Sequence, residues 1–197
     1  MQKNKIILPP KTIGIIGGGQ LGRMMAIAAK YMGYQICVLD PTPNCPAAQV
    51  ADQQITAAYD DREAIKELAE VSDVVTYEFE NVDLTQATYI EEKGKLPQGA
   101  RALEVSQNRE KEKNIIRDLG LPVPKFEIVT NAEECRKALR SFDFPAVIKT
   151  CRGGYDGKGQ IKLTSEDQIE VAADFAEQHQ HCIIEQWIAF DTEISVV

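Results

Sequence analysis

Thr12-Ile13-Gly14-Ile15-Ile16-Gly17-Gly18-Gly19-Gln20-Leu21-Gly22-Arg23 joins a short apolar run of strand type to a glycine turn. After the turn, Leu21, Met24, Met25, Ala28, Ala29 and Met32 recur at the spacing of a helix with one buried face, and Gly33 ends it. A second strand, Gln35-Ile36-Cys37-Val38-Leu39, stops at Asp40-Pro41, because proline cannot donate to a ladder and restricts the residue before it. Gln54-Ile55-Thr56 reads as a weak third strand, Arg62 to Glu70 as a helix and Asp73 to Tyr77 as a fourth strand. This alternation of strand and helix predicts a parallel sheet covered on both faces, an α/β first domain.

The turn Gly17-Gly18-Gly19-Gln20-Leu21-Gly22 satisfies the G-x-G-x-x-G spacing after a strand and before a helix. Three readings stay open on the residues alone. The turn could hold a dinucleotide, with pyrophosphate at the helix N-terminus and Asp40 on a ribose hydroxyl. It could receive another phosphorylated or polar substrate, since a helix N-terminus favours any anion. The glycines could also serve only close helix packing. Tyr77-Glu78-Phe79-Glu80-Asn81-Val82 ends the fourth strand, at the sheet edge where loops line a ligand crevice. Two acids and an amide there suit hydroxyls or an amine, or simply make a solvated strand end.

Near Lys95 the pattern changes. Lys95-Leu96-Pro97-Gln98-Gly99 is a breaker cluster, and a polar helix from Asn108 to Leu119 then ends at Gly120-Leu121-Pro122-Val123-Pro124. The expected division is a first domain of residues 1–105 and a second of residues 106–197. In the second, strands at Phe126 to Val129, up to Thr150, Gln160 to Leu163 and Cys182 to Gln186 are interleaved with helices from Ala132 to Ser141 and Glu166 to Gln178, which predicts an α+β domain. Gly153-Gly154-Tyr155-Asp156-Gly157-Lys158-Gly159-Gln160 carries four glycines in eight residues, and such a loop can turn its amides onto a polyphosphate. Lys149 on the preceding strand and Lys158 in the loop would meet phosphate as point charges, while Asp156 orders the loop. The plainer alternative is a flexible hairpin. Ile183-Ile184-Glu185-Gln186-Trp187-Ile188, a strand ending in an acid and an amide, is an edge that can read an adenine by its amino group and backbone, although Trp187 also suits a core.

A net charge of -8 on 197 residues argues against a sequence-independent nucleic-acid surface, which needs clustered Lys and Arg. The segment from Met1 to Pro10 has only three consecutive apolar residues before two prolines, too few for a signal sequence or a membrane span, so a cytoplasmic protein is expected. The five cysteines, Cys37, Cys45, Cys135, Cys151 and Cys182, are odd in number and lack Cys-x-x-Cys spacing, and read as free thiols. His179 and His181 beside Cys182 read as a surface pair rather than a metal site. Glu193-Ile194-Ser195-Val196-Val197 breaks off within an alternating strand pattern, which predicts a fragment of a longer protein.

The segments at 17–24, 77–82, 153–160 and 184–188 together closely resemble the N5-carboxyaminoimidazole ribonucleotide synthase family, within the ATP-grasp superfamily. The resemblance runs over essentially the whole chain. It implies a Rossmann-like pre-ATP-grasp domain that does not bind NAD, followed by a truncated ATP-grasp domain. It implies MgATP-dependent conversion of bicarbonate to carboxyphosphate, followed by carboxylation of the exocyclic amine of 5-aminoimidazole ribonucleotide, in a homodimeric purine-biosynthetic ligase. By motif position, Gly19, Gln20, Leu21, Glu78, Glu80 and Asn81 would receive the ribonucleotide. Arg109 and Lys149 would contact ATP phosphates, covered by the loop Gly154, Tyr155, Asp156, Gly157, Lys158, Gly159 and Gln160. Tyr155 and Lys158 would face the reacting groups as catalytic residues. Glu185, Gln186, Trp187 and Ile188 would hold the adenine, and Glu193 the ribose. The family's acidic magnesium ligands have no counterpart in this chain, so no metal residue is assigned. Other ATP-grasp ligases, of the glycinamide ribonucleotide transformylase or biotin carboxylase type, and a non-catalytic nucleotide-binding or NAD-binding module, are the alternatives.

Overall fold

The computed structural model describes residues 6–154 and 159–194. The chain divides into two compact units, Met1–Glu104 and Val105–Val197.

In the first unit, β1 (Thr12–Ile16), α1 (Gln20–Tyr31), β2 (Gln35–Leu39), β3 (Gln53–Ile55), α2 (Arg62–Val71), β4 (Val74–Tyr77) and α3 (Leu84–Glu92) follow in order, and α4 (Arg101–Ser106) runs across the division. The four strands lie in the order β3-β2-β1-β4, and every pairing is parallel. Successive side chains of a strand point to opposite faces, and both faces are buried. Ile15, Ile36 and Val38 pack with Ala26 and Ala29 of α1. Ile16, Cys37, Leu39 and Val75 pack with Ile65 and Leu68 of α2 and Ala87 and Ile90 of α3. The near-continuous apolar strands of the sequence thus have the covering that such strands require.

The buried face of α1 differs from the one its apolar spacing predicts. Gly22, Ala26 and Ala29 face the sheet, while Leu21, Met24 and Met32 are 58%, 58% and 62% exposed. The helix lies too close to the strands for large side chains: a Cβ on Gly22 would come within 2.5 Å of the Gly17 carbonyl oxygen. Small residues permit that approach, and the larger ones turn outward. The sequence also gave no warning of α3, whose buried face includes a glutamine, Gln86.

The second unit contains α5 (Arg109–Asp118), β5 (Phe126–Val129), α6 (Ala132–Leu139), β6 (Ala146–Thr150), β7 (Gln160–Leu163), a 3-10 turn (Glu166–Gln168), α7 (Ile169–His179) and β8 (Cys182–Gln186). The strands form an antiparallel sheet in the order β5-β8-β6-β7. One face, with Ala146, Ile148, Cys182 and Ile184, packs on Cys135, Ala138 and Leu139 of α6 and Ala172 and Ala176 of α7. The helix expected from Glu166 begins instead as the 3-10 turn, and α6 stops at Leu139, two residues before its expected end.

Asx residues start four helices. The side chains of Asp61, Asp83, Asn108 and Asn131 each accept from amides in the first turn of α2, α3, α5 and α6. Gly19, at the start of α1, has no side chain to do so. Among the described residues, no helix is long and apolar enough to cross a membrane.

Candidate functional site

The glycine turn of the first unit is held by two carboxylates from elsewhere in its own sheet. Glu78, one residue beyond β4, accepts from the Gly19 amide at 2.9 Å through Oε1 and from the Gly22 amide through Oε2. It therefore caps α1 from a distance. Asp40, one residue beyond β2, accepts through Oδ2 from the Gly18 amide at 2.8 Å and from the Tyr59 hydroxyl at 2.7 Å, and through Oδ1 from the Thr42 amide at 2.8 Å. Burial works to raise the Asp40 carboxyl, but the bonds from Tyr59, Thr42 and Gly18 outweigh it and hold the group below the ordinary aspartate range. The Tyr59 hydroxyl is pushed up, first by burial and then by Asp40.

The glycine spacing matches these neighbours. A Cβ on Gly17 would fall 2.5 Å from Glu78 Cγ, on Gly19 2.8 Å from its Oε1, and on Gly22 2.8 Å from its Oε2. On Gly18 it would meet Cys45 Sγ at 2.2 Å. Gln20 and Leu21 are exposed at the start of α1, and Glu80 and Asn81 are exposed after β4. Asn81 donates to Glu80 at 3.4 Å. The structure thus brings Gly19, Leu21 and Gln20 together with Glu78 at the turn.

In the second unit, the sheet face opposite the α6 and α7 core carries Val147 and Lys149 of β6 with Ile183 and Glu185 of β8. Glu185 is 4% exposed. Its Oε2 accepts from Lys149 Nζ at 2.8 Å, and Lys113 Nζ of α5 lies 3.5 Å from Oε1. Oε1 nevertheless has no hydrogen-bond partner among the described residues. Arg109, one turn earlier on α5, donates to the Thr150 carbonyl at 3.1 Å and to the Gly154 carbonyl at 2.9 Å, at the root of the glycine loop. Gly159 closes the other side through its carbonyl, which accepts from the Thr150 amide at 2.9 Å, and Gln160 pairs with Lys149 in the β7–β6 ladder. Tyr155, Asp156, Gly157 and Lys158 lie outside the described residues.

At the end of β8, the side-chain amide of Gln186 donates to the Asp143 and Pro145 carbonyls, at 3.0 Å each, so it braces the strand end. Trp187 is 37% and Ile188 50% exposed, and Lys162 Nζ sits 3.6 Å above the Trp187 ring. Glu193 is exposed. The sequence reading passed over Lys113 and Tyr59. Lys113 had a signal: it follows Arg109 by four residues, the spacing that puts two side chains on one helix face.

All five cysteines are free and buried. Burial pushes the thiols of Cys37, Cys135 and Cys182 up to about 11 and that of Cys151 to about 12, so none of these four offers a thiolate at neutral pH. His181 Nε2 lies 2.9 Å from Glu110 Oε2, and the His179 ring lies tilted against Phe175 with the ring centroids 4.3 Å apart. No group of three or more His, Cys, Asp or Glu is placed to hold a metal among the described residues. The described residues therefore supply no such ligand group for a magnesium ion.

Comparison with known proteins finds a ribonucleotide synthetase preATP-grasp domain at residues 10–107 and an ATP-grasp domain at residues 114–197. An N5-carboxyaminoimidazole ribonucleotide synthase of Bacillus subtilis is 51% identical over 193 residues, 98% of this chain and 50% of its own length. A crystal structure of an N5-carboxyaminoimidazole ribonucleotide synthetase as its ADP complex superposes with a TM-score of 0.91 at 54% identity, covering 96% of this chain and 50% of that one. The synthase of Aspergillus clavatus, crystallised with ADP and 5-aminoimidazole ribonucleotide, has a TM-score of 0.80 at 28% identity, over 92% of this chain and 47% of its own. The chain thus spans about half the length of the relatives it matches.

Proposed function

Since the chain belongs to the N5-carboxyaminoimidazole ribonucleotide synthase family of ATP-grasp proteins, we propose that the protein carrying it uses ATP and bicarbonate to carboxylate 5-aminoimidazole ribonucleotide in purine biosynthesis. In this reading bicarbonate oxygen attacks the γ-phosphoryl group, giving carboxyphosphate and ADP. The exocyclic amine of the ribonucleotide then takes the carboxyl group, with release of phosphate and of the amine's proton. Magnesium would supply charge neutralisation at the phosphates when bound. The protein acts in the cytoplasm and as a homodimer.

The observation that carries the proposal is Glu185. A buried carboxylate flanked by two lysines, with one oxygen lacking a hydrogen bond among the described residues, is an acceptor suited to a donor from outside, and the exocyclic amine of adenine is such a donor. Gln186, Trp187 and Ile188 complete the adenine edge, and Glu193 takes the ribose. Lys149 and Arg109 already use some donors on Glu185 and on the loop root. Both retain others for phosphate, since an ammonium has three N–H groups and a guanidinium five. The loop from Gly154 to Gln160 covers the phosphates, with Tyr155 and Lys158 at the reacting groups, and excludes the water that would hydrolyse carboxyphosphate. Gly19, Gln20, Leu21, Glu78, Glu80 and Asn81 receive the ribonucleotide.

The test is ADP release from MgATP and bicarbonate, measured with and without 5-aminoimidazole ribonucleotide. Stimulation by that nucleotide and not by glycinamide ribonucleotide is expected. No stimulation, or a preference for the glycinamide compound, would reject the assignment.

A further inference from the structure

The Gly17–Gly22 turn has every feature of an anion site except vacancy for an anion. In a dinucleotide site the amides of such a turn converge on pyrophosphate at the helix N-terminus. Here the Gly18 amide is taken by Asp40, and the Gly19 and Gly22 amides by the two oxygens of Glu78. The glycines are spaced to admit the Glu78 side chain, since a Cβ on Gly17, Gly19 or Gly22 would strike it at 2.5–2.9 Å. Two negative charges thus stand where a phosphate would have to enter, and each lies at the positive end of α1, where a carboxylate is stabilised.

We infer that Glu78 and Asp40 make this turn an anion-excluding site, occupied from within by the protein's own carboxylates, so that it rejects the phosphate end of a nucleotide and meets only hydrogen-bond donors such as hydroxyls or an amine. Glu78 is the specificity-determining residue, because both of its oxygens lie on the turn. Asp40 is a positioning residue: fixed by Tyr59 and Thr42, it holds the Gly18 amide away from ligands. The same geometry accounts for a G-x-G-x-x-G turn that serves no dinucleotide. The rejection of phosphate stands on these contacts alone, whereas the statement that a substrate's hydroxyls or amine meet Glu78 rests on the proposed function.

The decisive experiment follows the amide resonances of Gly18, Gly19 and Gly22 in this chain by NMR during titration with inorganic pyrophosphate, which separates this turn from any phosphate site in the second unit. In the unsubstituted chain these amides should stay unmoved. In Glu78→Ala the Gly19 and Gly22 amides should shift saturably, with an apparent affinity at least about tenfold above any response of the unsubstituted chain. Glu78→Gln, which keeps the size of the side chain, should show a weaker gain and serves if the alanine variant does not fold. Asp40→Ala, which removes the acceptor, should release the Gly18 amide, moving its resonance upfield while the Gly19 and Gly22 amides remain held by Glu78. Saturable pyrophosphate binding at the turn of the unsubstituted chain would overturn the inference, as would folded Glu78 variants that gain none. The unphosphorylated aminoimidazole riboside is titrated in parallel. If it leaves the turn unmoved while Glu78→Ala gains pyrophosphate, exclusion stands and the turn is lost as the ribonucleotide site.

Discussion

Gly17, Gly19 and Gly22 lie against a side chain of their own unit, whereas Gly153 has no described atom within 4 Å of the place a Cβ would take. Both segments read as phosphate-binding glycine loops, and their structural reasons differ. In the first unit the missing side chains make room for Glu78 and let α1 approach the Gly17 carbonyl. At Gly153 the requirement is conformational, a φ of +76° that other residues adopt at a cost. Gly159 combines the two demands, with φ +70° and Thr150 Oγ1 at 2.9 Å. Glycine spacing therefore reports close approach or unusual backbone, and what fills the space has to be found from residues far away in sequence.

Substitutions can break this contrast or sharpen it. The largest effect is expected beside the second loop: Lys149→Ala removes one partner of the buried Glu185, at a cost of about 3–5 kcal/mol. Calorimetric melting should show it, together with loss of ATP binding by titration; a stable variant that still binds ATP would remove Lys149 from both roles. Gly22→Ala should cost about 2–3 kcal/mol, because its Cβ meets backbone that cannot rotate away, and urea unfolding measures it. Asp40→Asn should cost about 1–2 kcal/mol at neutral pH by leaving one of the buried partners mismatched. Since the Asp40 carboxyl is lowered in the folded protein, its contribution is complete above the ordinary aspartate value of about 3.9 and is lost as the pH falls through the lower folded value. The stability gap between Asp40→Asn and the unsubstituted chain should therefore close in acid, and parallel urea midpoints at pH 7 and pH 3 check the sign. Gly153→Ala should cost least, about 1 kcal/mol. A loss as large as that of Gly22→Ala would erase the distinction between the two segments.

The sheet of the first unit was readable because its strands are apolar on both faces and its turns carry Gly and Pro at the breaks. The antiparallel second unit was readable from short apolar runs bounded by Gly, Pro and polar breaks, although the second face of its sheet carries Lys149 and Glu185. The orientation of α1 was not, because Gly22, Ala26 and Ala29 carry little hydrophobic signal and the larger residues at Leu21, Met24 and Met32 dominate the pattern. Nor was α3, since Gln86 interrupts its apolar face. At the candidate sites, the glycines, Lys149 and Glu185 stood out by type and position. The use of the turn amides by Glu78 did not, because nothing local ties residue 78 to residues 56 and 59 positions earlier. Asp40 showed the reverse difficulty: its position after β2 suggested a ribose ligand, and its carboxylate is engaged by Gly18, Thr42 and Tyr59.

The strand order β3-β2-β1-β4 has a consequence for synthesis. β1 is made before its sheet neighbours and ends up in the interior of the sheet, with β2 along one of its own edges and β4 along the other. The β4 side begins at Asp73, which holds the Thr12 amide across a separation of 61 residues. At roughly 5–20 residues per second, a ribosome takes about 3–12 s to make that stretch. Throughout that interval the edge of β1 that β4 will pair stays open on a strand carrying Ile13 and Ile15, and the arrival of Val74 to Tyr77 both fills that edge and delivers Glu78 to the start of α1.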